Sequence, residues 1–440
     1  SPIGRGGERI WGLAIKSAWS RRLGLSFVVL SVAVSAMLVL SVFQLRQDAR
    51  QSFSQAVSGV DLMVGPRGSA SEFLLYTVFQ LGRPSRNVQA SHLETLENLP
   101  GVAWAVPLQL GDRYREAPVW GTSSAFFDVF RVQQQPLVFA RGRAFAQPSA
   151  DNRSAVFELV LGASVASRYR HQLGDQIVLT HGDGGELAAR HEQTPFKVVG
   201  VLAPTGGSID RAVLVSVQGF EAMHVGWGVM PMGSGSRMAS VQKDLLADMP
   251  VDALKPSSLT AILVGLQDRS RIFQVRRQIE NTTTEPLMAV LPGVTLDELW
   301  QVLSVAENTL LLVGLVVSLA SLMSVAALML AGLSARRREF AILRAVGLSP
   351  GAMMRLVMLE TAAVALVGLL LGLLAQQLGL MLAADWLRQA MGVAVRVWSI
   401  PTDAWLALGA MLLTAVVIAG IPAWRAYRWS LSDGLSAPQA

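Results

Sequence analysis

The sequence predicts an α-helical membrane protein with four transmembrane helices plus an α+β extracytoplasmic domain. Three observations carry that prediction. The 440 residues are 52% hydrophobic, too apolar for an average soluble globule. The apolar residues gather in four uncharged runs, 23–45, 309–335, 361–384 and 404–424. Each reaches the roughly 20 residues that cross a hydrocarbon core about 30 Å thick. Between the first two runs lies a long stretch of ordinary mixed composition, as expected of a soluble domain hung between membrane helices.

Charge placement orients the chain. Arg21 and Arg22 precede the first run, and Arg336, Arg337 and Arg338 follow the second. Arg355 precedes the third, while Arg425 and Arg428 follow the fourth. The positive-inside rule therefore puts both termini and the second connection in the cytoplasm, and the large domain on the other side. Trp11, Trp19, Trp386, Trp398, Trp405, Trp424 and Trp429 fall at the interfaces this implies. The net charge of +6 is thus accounted for by membrane flanks. It does not form the interleaved basic and aromatic face of a nucleic-acid binder, so no nucleic acid is expected as a partner. Cysteine is absent, so no disulfide framework exists.

Taken in order, residues 1–22 read as a cytoplasmic juxtamembrane amphipathic helix, with Ile10, Leu13 and Ala14 set against Arg9 and Lys16. Residues 23–45 form the first span. It is longer than the 7–15 residues of a signal-peptide core and continues into polar, helix-forming sequence, so it reads as retained. Residues 46–302 form the periplasmic α+β domain, with stalk helices at both ends. Within it, short β-rich runs such as "VAWAVPLQL", "QIVLT", "FKVVGVL" and "LTAILVGL" alternate with helical stretches, a pattern expected of two subdomains. Residues 230–238, "MPMGSGSRM", read as a mobile loop. The helical pattern from Thr295 to Leu333 would be about 58 Å long, so roughly half should stand outside the membrane. The second span is 303–335, the cytoplasmic loop 336–355, the third span 356–384, a short periplasmic connection 385–403, the fourth span 404–424, and the cytoplasmic tail 425–440.

The stretch "RRREFAILRAVGLSPGAMMRLVMLE", residues 336–360, carries the strongest functional pattern. Three arginines at the bilayer centre would cost on the order of 8–10 kcal/mol, so they end the second span. Phe340, Leu343 and Gly347 follow i, i+3, i+7 spacing, which gives the next short helix an apolar face amid the charges of Arg337, Glu339 and Arg344. Gly347 suits a helix C-terminus, and Ser349 followed by Pro350 suits the N-cap and first position of another.

Together with "VGLLLGLLAQQLGL" and "GIPAWRAYRWSLSDGLS", this stretch resembles the FtsX/MacB/LolE-type family of ABC transporter permeases over essentially the whole chain. The resemblance implies that the short helix is a coupling helix seated on a separate ATPase. Its seat would comprise Arg337, Glu339, Phe340, Ile342, Leu343, Arg344, Gly347 and Leu348. It further implies a homodimer served by two cytoplasmic ABC ATPase subunits in the bacterial inner membrane. A periplasmic adaptor, lipoprotein or hydrolase is a further possible partner. ATP and Mg belong to the partner, and no cofactor is expected on this chain. A Walker A loop needs G-x-x-x-x-G-K-[ST], and none of Lys16, Lys197, Lys243 and Lys255 follows a glycine.

Other patterns are weaker. No catalytic residue is expected, since G-x-S-x-G and H-E-x-x-H are absent. Ser240 and Lys243 match S-x-x-K without its companion motifs. His181 and His191 bracket Asp183 and Glu186, but a hairpin loop between "QIVLT" and "FKVVGVL" accounts for them, so no metal site is expected. Gly368 and Gly372 form G-x-x-x-G, a helix-packing motif suited to close approach in lipid, and subunit packing is one use for it. Glu360 reads as a snorkelling or paired carboxylate. The function expected is conversion of a partner's ATP hydrolysis into periplasmic conformational work on a lipoprotein, lipid or peptide. The alternative is a regulatory scaffold that switches a periplasmic hydrolase or sensor without transport.

Overall fold

The computed structural model describes residues 22–56, 59–79, 81–82, 86–132, 134–181, 194–225, 245–246, 249–282, 285–335, 342, 345–391 and 393–432. The proposed loop 230–238 and the juxtamembrane segment 1–21 lie outside them. The helices used below are α1 (Arg22–Ala56), α2 (Ala70–Phe79), α3 (Ser91–Glu97), α4 (Phe126–Val129), α5 (Ala163–Tyr169), α6 (Val217–His224), α7 (Ile272–Thr282), α8 (Pro292–Ala335), α9 (Pro350–Met391) and α10 (Thr402–Ser432). The strands begin with β1 (Leu62–Pro66), β2 (Val88–Gln89), β3 (Val102–Tyr114), β4 (Ala117–Thr122), β5 (Arg131–Val132), β6 (Gln135–Pro136), β7 (Phe139–Gly142) and β8 (Glu158–Leu161). They continue with β9 (Gln176–Ile177), β10 (Thr180–His181), β11 (Phe196–Leu202), β12 (Val213–Ser216), β13 (Ser258–Leu259), β14 (Ala261–Leu266) and β15 (Leu287–Val290).

The chain divides into two compact units. One holds residues 1–49, 303–385 and 395–440, and the other 50–302 and 386–394. The first holds all of α10 and most of α1, α8 and α9, each long and apolar enough to span a membrane. At 44 residues, α8 runs about 66 Å, twice the thickness of a hydrocarbon core. Val28, Val32 and Ala36 of α1 pack with Leu322 and Val325 of α8, Ala365 and Leu369 of α9, and Met411 and Ala415 of α10. Only 28–39% of each span's most apolar window is buried. The remaining faces, carrying residues such as Leu312, Leu370, Leu382 and Val417, are apolar and exposed, which suits lipid rather than water.

Several polar groups inside this bundle are paired with groups on other segments. Ser35 donates to the Ser318 hydroxyl at 3.1 Å and Ser31 to that of Ser321 at 3.0 Å, tying α1 to α8. Further along α1, the Gln44 amide donates to the carbonyls of Arg396 and Ser399 at 3.0 and 2.9 Å. Asp48, buried to 1% side-chain exposure, pairs with the Arg396 guanidinium at 3.3 Å.

The second unit is built on an 11-stranded sheet whose main path runs β15-β1-β14-β3-β4-β12-β8-β11-β7. Most neighbours are antiparallel, while β4–β12 and β8–β11 are parallel. Apolar residues gather over two regions of it. One core gathers Leu62, Val64, Val102, Ile262 and Val264 with Val275 and Ile279 of α7, and the other Val119, Leu159, Leu161, Phe196, Val198 and Val213. The expectation of two subdomains meets a continuous sheet here. The 13-residue strand β3 serves both cores, with Val102 and Ala105 in one and Tyr114 in the other. Helix α6 bridges them likewise, sending Val217 to the first and Phe220 and Met223 to the second. The run "QIVLT", read as one strand, splits because its two ends have different partners: β9 pairs with β11 and β10 with β3.

Candidate functional site

The connection between α8 and α9 is described only in part. Arg337, Glu339, Phe340, Leu343 and Arg344 lie outside the described residues. The others of the expected seat are present. The Val346 amide donates to the Ile342 carbonyl at 3.1 Å, closing a helical turn, and Gly347 ends it at φ +98°, on the left-handed side that glycine tolerates. Ser349 then caps α9, its hydroxyl accepting from the Ala352 amide at 3.3 Å. Ile342 and Val346 are 60% and 82% exposed, and Leu348 is half-buried, so this turn presents apolar side chains outward.

Gly368 and Gly372 on α9 face α1 of the same chain. A Cβ at Gly368 would fall 2.8 Å from Val32, and one at Gly372 would fall 2.5 Å from the Ala33 carbonyl oxygen and 2.8 Å from the Ala36 Cβ. The four-residue spacing thus lets two helices approach until backbone meets side chain.

The described histidines have distinct surroundings. His92 pairs with Glu285 at 3.1 Å, and His171 bridges Tyr114 and Asp175 at 2.9 and 3.1 Å. His191, Asp183 and Glu186, the sequence neighbours that His181 brackets or pairs with in the hairpin pattern, lie outside the described residues. In the structure His181 Nδ1 instead meets the Asp112 carboxylate at 2.9 Å and His224 Nε2 at 3.1 Å. His224 Nε2 lies 3.2 Å from the second Asp112 oxygen. Burial alone would lower the His224 pKa, but the hydrogen bond and charge of Asp112, the Phe220 carbonyl and Glu221 outweigh it, and the net shift is upward. The sequence offered no direct signal for this group, because Asp112, His181 and His224 are far apart along the chain.

A cavity of about 300 Å³ opens between α2, the β3–β4 hairpin and α5. Val78, Phe79 and Leu81 give it an apolar wall, and Arg113, Arg168 and Arg211 a cationic one. Arg168 pairs with Glu116 at 2.7 Å. Two buried donors that line it, Arg211 Nε and Trp120 Nε1, find no acceptor among the described residues. Burial pulls the Arg211 guanidinium below its ordinary pKa, with Asp210 pulling the other way. Such a lining suits an acidic group carried on an apolar body.

Residues 26–282 match the MacB-like periplasmic core domain and residues 311–431 the FtsX-like permease C-terminal domain. Solved structures are similar as well, two of them as follows. The periplasmic region of MacB from Actinobacillus actinomycetemcomitans is 13% identical with a TM-score of 0.32, the match covering 56% of this chain and 95% of that one. The extracellular domain of the noncanonic ABC-type transporter YknZ from Gram-positive bacteria is 15% identical with a TM-score of 0.30, covering 52% of this chain and 98% of that one. No curated protein matches the sequence. The first family match alone takes in more than half of the 440 residues, and the second contains most of the last three membrane helices. The chain therefore belongs to the FtsX/MacB-type family of ABC transporter permeases, as a multi-pass membrane protein with a MacB-like periplasmic core.

Proposed function

We propose that this chain is the permease subunit of an ABC system that turns a partner's ATP hydrolysis into periplasmic conformational work. The observation that carries the reading is the union, in one chain, of a MacB-like core, an FtsX-like permease region and four spans. Two copies of the chain work with two ATPase subunits, which sit against the cytoplasmic connection between α8 and α9. Exposed Ile342 and Val346 support that contact, because an apolar turn beyond the membrane gains from a protein groove. The uninterrupted course of α8 supports transmission along one helix. The cavity with Arg113, Arg168 and Arg211 beside an apolar wall supports a cargo that is an acidic amphiphile, such as a lipoprotein, lipid or acylated peptide.

The coupling helix is the part most directly tested. If Phe340 and Leu343 fill an ATPase groove, truncating each removes burial worth roughly 1.5–3 kcal/mol. The double change Phe340→Ala, Leu343→Ala should weaken ATPase co-purification by about tenfold or more, with membrane insertion intact. Glu339→Arg should impair ATP turnover in lipid even where assembly survives. Wild-type association and turnover in both variants would reduce the segment to a basic stop signal. Stimulation of turnover by an acidic lipopeptide, lost in Arg211→Gln, would support the cargo reading. Tight capture of a periplasmic hydrolase without such stimulation would instead favour a regulatory scaffold.

A further inference from the structure

Asp112, His181 and His224 come together through three independent backbone devices. Strand β3 carries an extra residue between Leu110 and Arg113 relative to its partner β4, a bulge that re-aims the side chains around it. Gly111 within that bulge has φ +148°, a conformation open to glycine. At the bulge itself, β10 pairs with β3 so that His181 lies directly across from Asp112. His224 is the last residue of α6, whose first turn is fixed by the Ser216 hydroxyl accepting from the Gly219 amide at 2.9 Å.

The groups that meet, two imidazoles and a carboxylate, are all of metal-ligating type. His224 Nδ1 lies 2.8 Å from the Phe220 carbonyl, which only accepts, so Nδ1 carries a proton. In the neutral ring Nε2 then presents its lone pair to Asp112 and His181. Asp112 has no side-chain exposure, His224 24% and His181 49%, so the group is buried on one side and open on the other. A neutral His181 can donate its Nδ1–H to Asp112 Oδ1, but the His224 Nε2 lone pair and Asp112 Oδ2, 3.2 Å apart, repel unless a proton or a cation lies between them. A tetrahedral Zn²⁺ with bonds of about 2.0–2.1 Å would set its ligands about 3.3 Å apart. His224 Nε2 lies 3.1 Å from His181 Nδ1 and 3.2 Å from Asp112 Oδ2, close to that edge length, while His181 Nδ1 lies 2.9 Å from the other carboxylate oxygen, Oδ1.

We propose that Asp112, His181 and His224 form a Zn²⁺ site in the periplasmic core. Asp112 and the two imidazoles supply three ligands of a mixed nitrogen and oxygen set, which suits zinc better than calcium or magnesium. His181 is half exposed, so the group is reachable from solvent, from which water can supply a further ligand. The Phe220 carbonyl, by holding His224 Nδ1–H, orients the ring as outer-shell acceptors do in metal sites. The ion ties the β3 bulge, β10 and the end of α6 at one point.

The test uses the full chain in detergent, purified without a histidine tag and stripped by a chelator. Zn²⁺ is titrated in competition with a chromophoric chelator. One ion per chain should bind with sub-micromolar affinity, and Co²⁺ in its place should give the visible absorption of a tetrahedral centre. His181→Ala and Asp112→Asn should each weaken binding by about a hundredfold or more and abolish the Zn²⁺-dependent rise in melting temperature. His171→Ala, whose ring serves Tyr114 and Asp175, should bind as wild type does. Since His181 is half exposed, its variant should keep the wild-type metal-free melting temperature, which separates lost ligation from misfolding. Affinity no tighter than tens of micromolar, or equal affinity in wild type and His181→Ala, would overturn the proposal and leave the cluster held by protons.

Discussion

Glu158 is where a single side chain couples fold to pH most plainly. Its carboxylate accepts from both terminal nitrogens of the Arg143 guanidinium, at 2.6 and 2.9 Å, and from the Ala146 amide at 3.0 Å. Burial pushes its pKa up, but the Arg143 hydrogen bond, the Ala146 amide and the charges of Arg143 and Lys197 win, so the net shift is below the ordinary 4.5. A carboxyl with a depressed folded-state pKa contributes stability above its unfolded value and loses it as pH falls through the folded value. Glu158→Gln should therefore melt roughly 1–3 °C below wild type at neutral pH, the small size reflecting a half-exposed arginine partner. The gap should close as pH drops below 4.5 and through the folded-state value, which calorimetry at a series of pH values would follow. A gap of constant size across that range would show that the pair's charge is not what matters. Asp112 teaches a related lesson: a residue lost among ordinary strand sequence became a candidate ligand because a bulge turned it inward.

At the scale of elements, the close approach of α1 and α9 depends on two missing Cβ atoms. At Gly372 the obstruction would be the Ala33 carbonyl oxygen, a backbone atom that cannot rotate away. Gly372→Ala should force the helices apart and cost about 1–3 kcal/mol, as overpacking does. In a detergent melt this variant should be clearly destabilised, whereas Gly409→Ala, with nothing within 4 Å of its added Cβ, should match or exceed wild type. Equal melting of the two variants would mean that the helices separate easily. The capping of α9 was legible beforehand, since Gly347, Ser349 and Pro350 carry local chemistry that needs no distant partner. What Gly368 and Gly372 pack against was not legible, because a G-x-x-x-G motif says only that some helix comes near. The first helix of the same chain takes that place.

For the molecule as a whole, the absence of cysteine allows orientation to be tested cleanly. Ser349 and Ser257 are both exposed, so either can be made a labelling site. Ser349→Cys, next to the proposed ATPase seat, should resist an impermeant thiol reagent in intact cells and react after permeabilisation. Ser257→Cys should react in both conditions. The opposite pattern would place the large domain in the cytoplasm and remove the proposed coupling contact.

Membrane spans, their order, the mixed domain between the first two and the cap chemistry at Gly347–Pro350 were all determined by sequence alone. Each depends on residues adjacent in the chain: uninterrupted apolar length, alternating strand patterns, and a few side chains with strong conformational preferences. Tertiary structure alone decided that β3 serves two cores, that "QIVLT" changes partners midway, and that Asp112 meets two histidines from different elements. It also set three arginines around one cavity. The physical reason is that these features arise from strand register and helix docking between distant segments. Such pairings are selected by the total burial of the whole domain, which no local window of sequence contains.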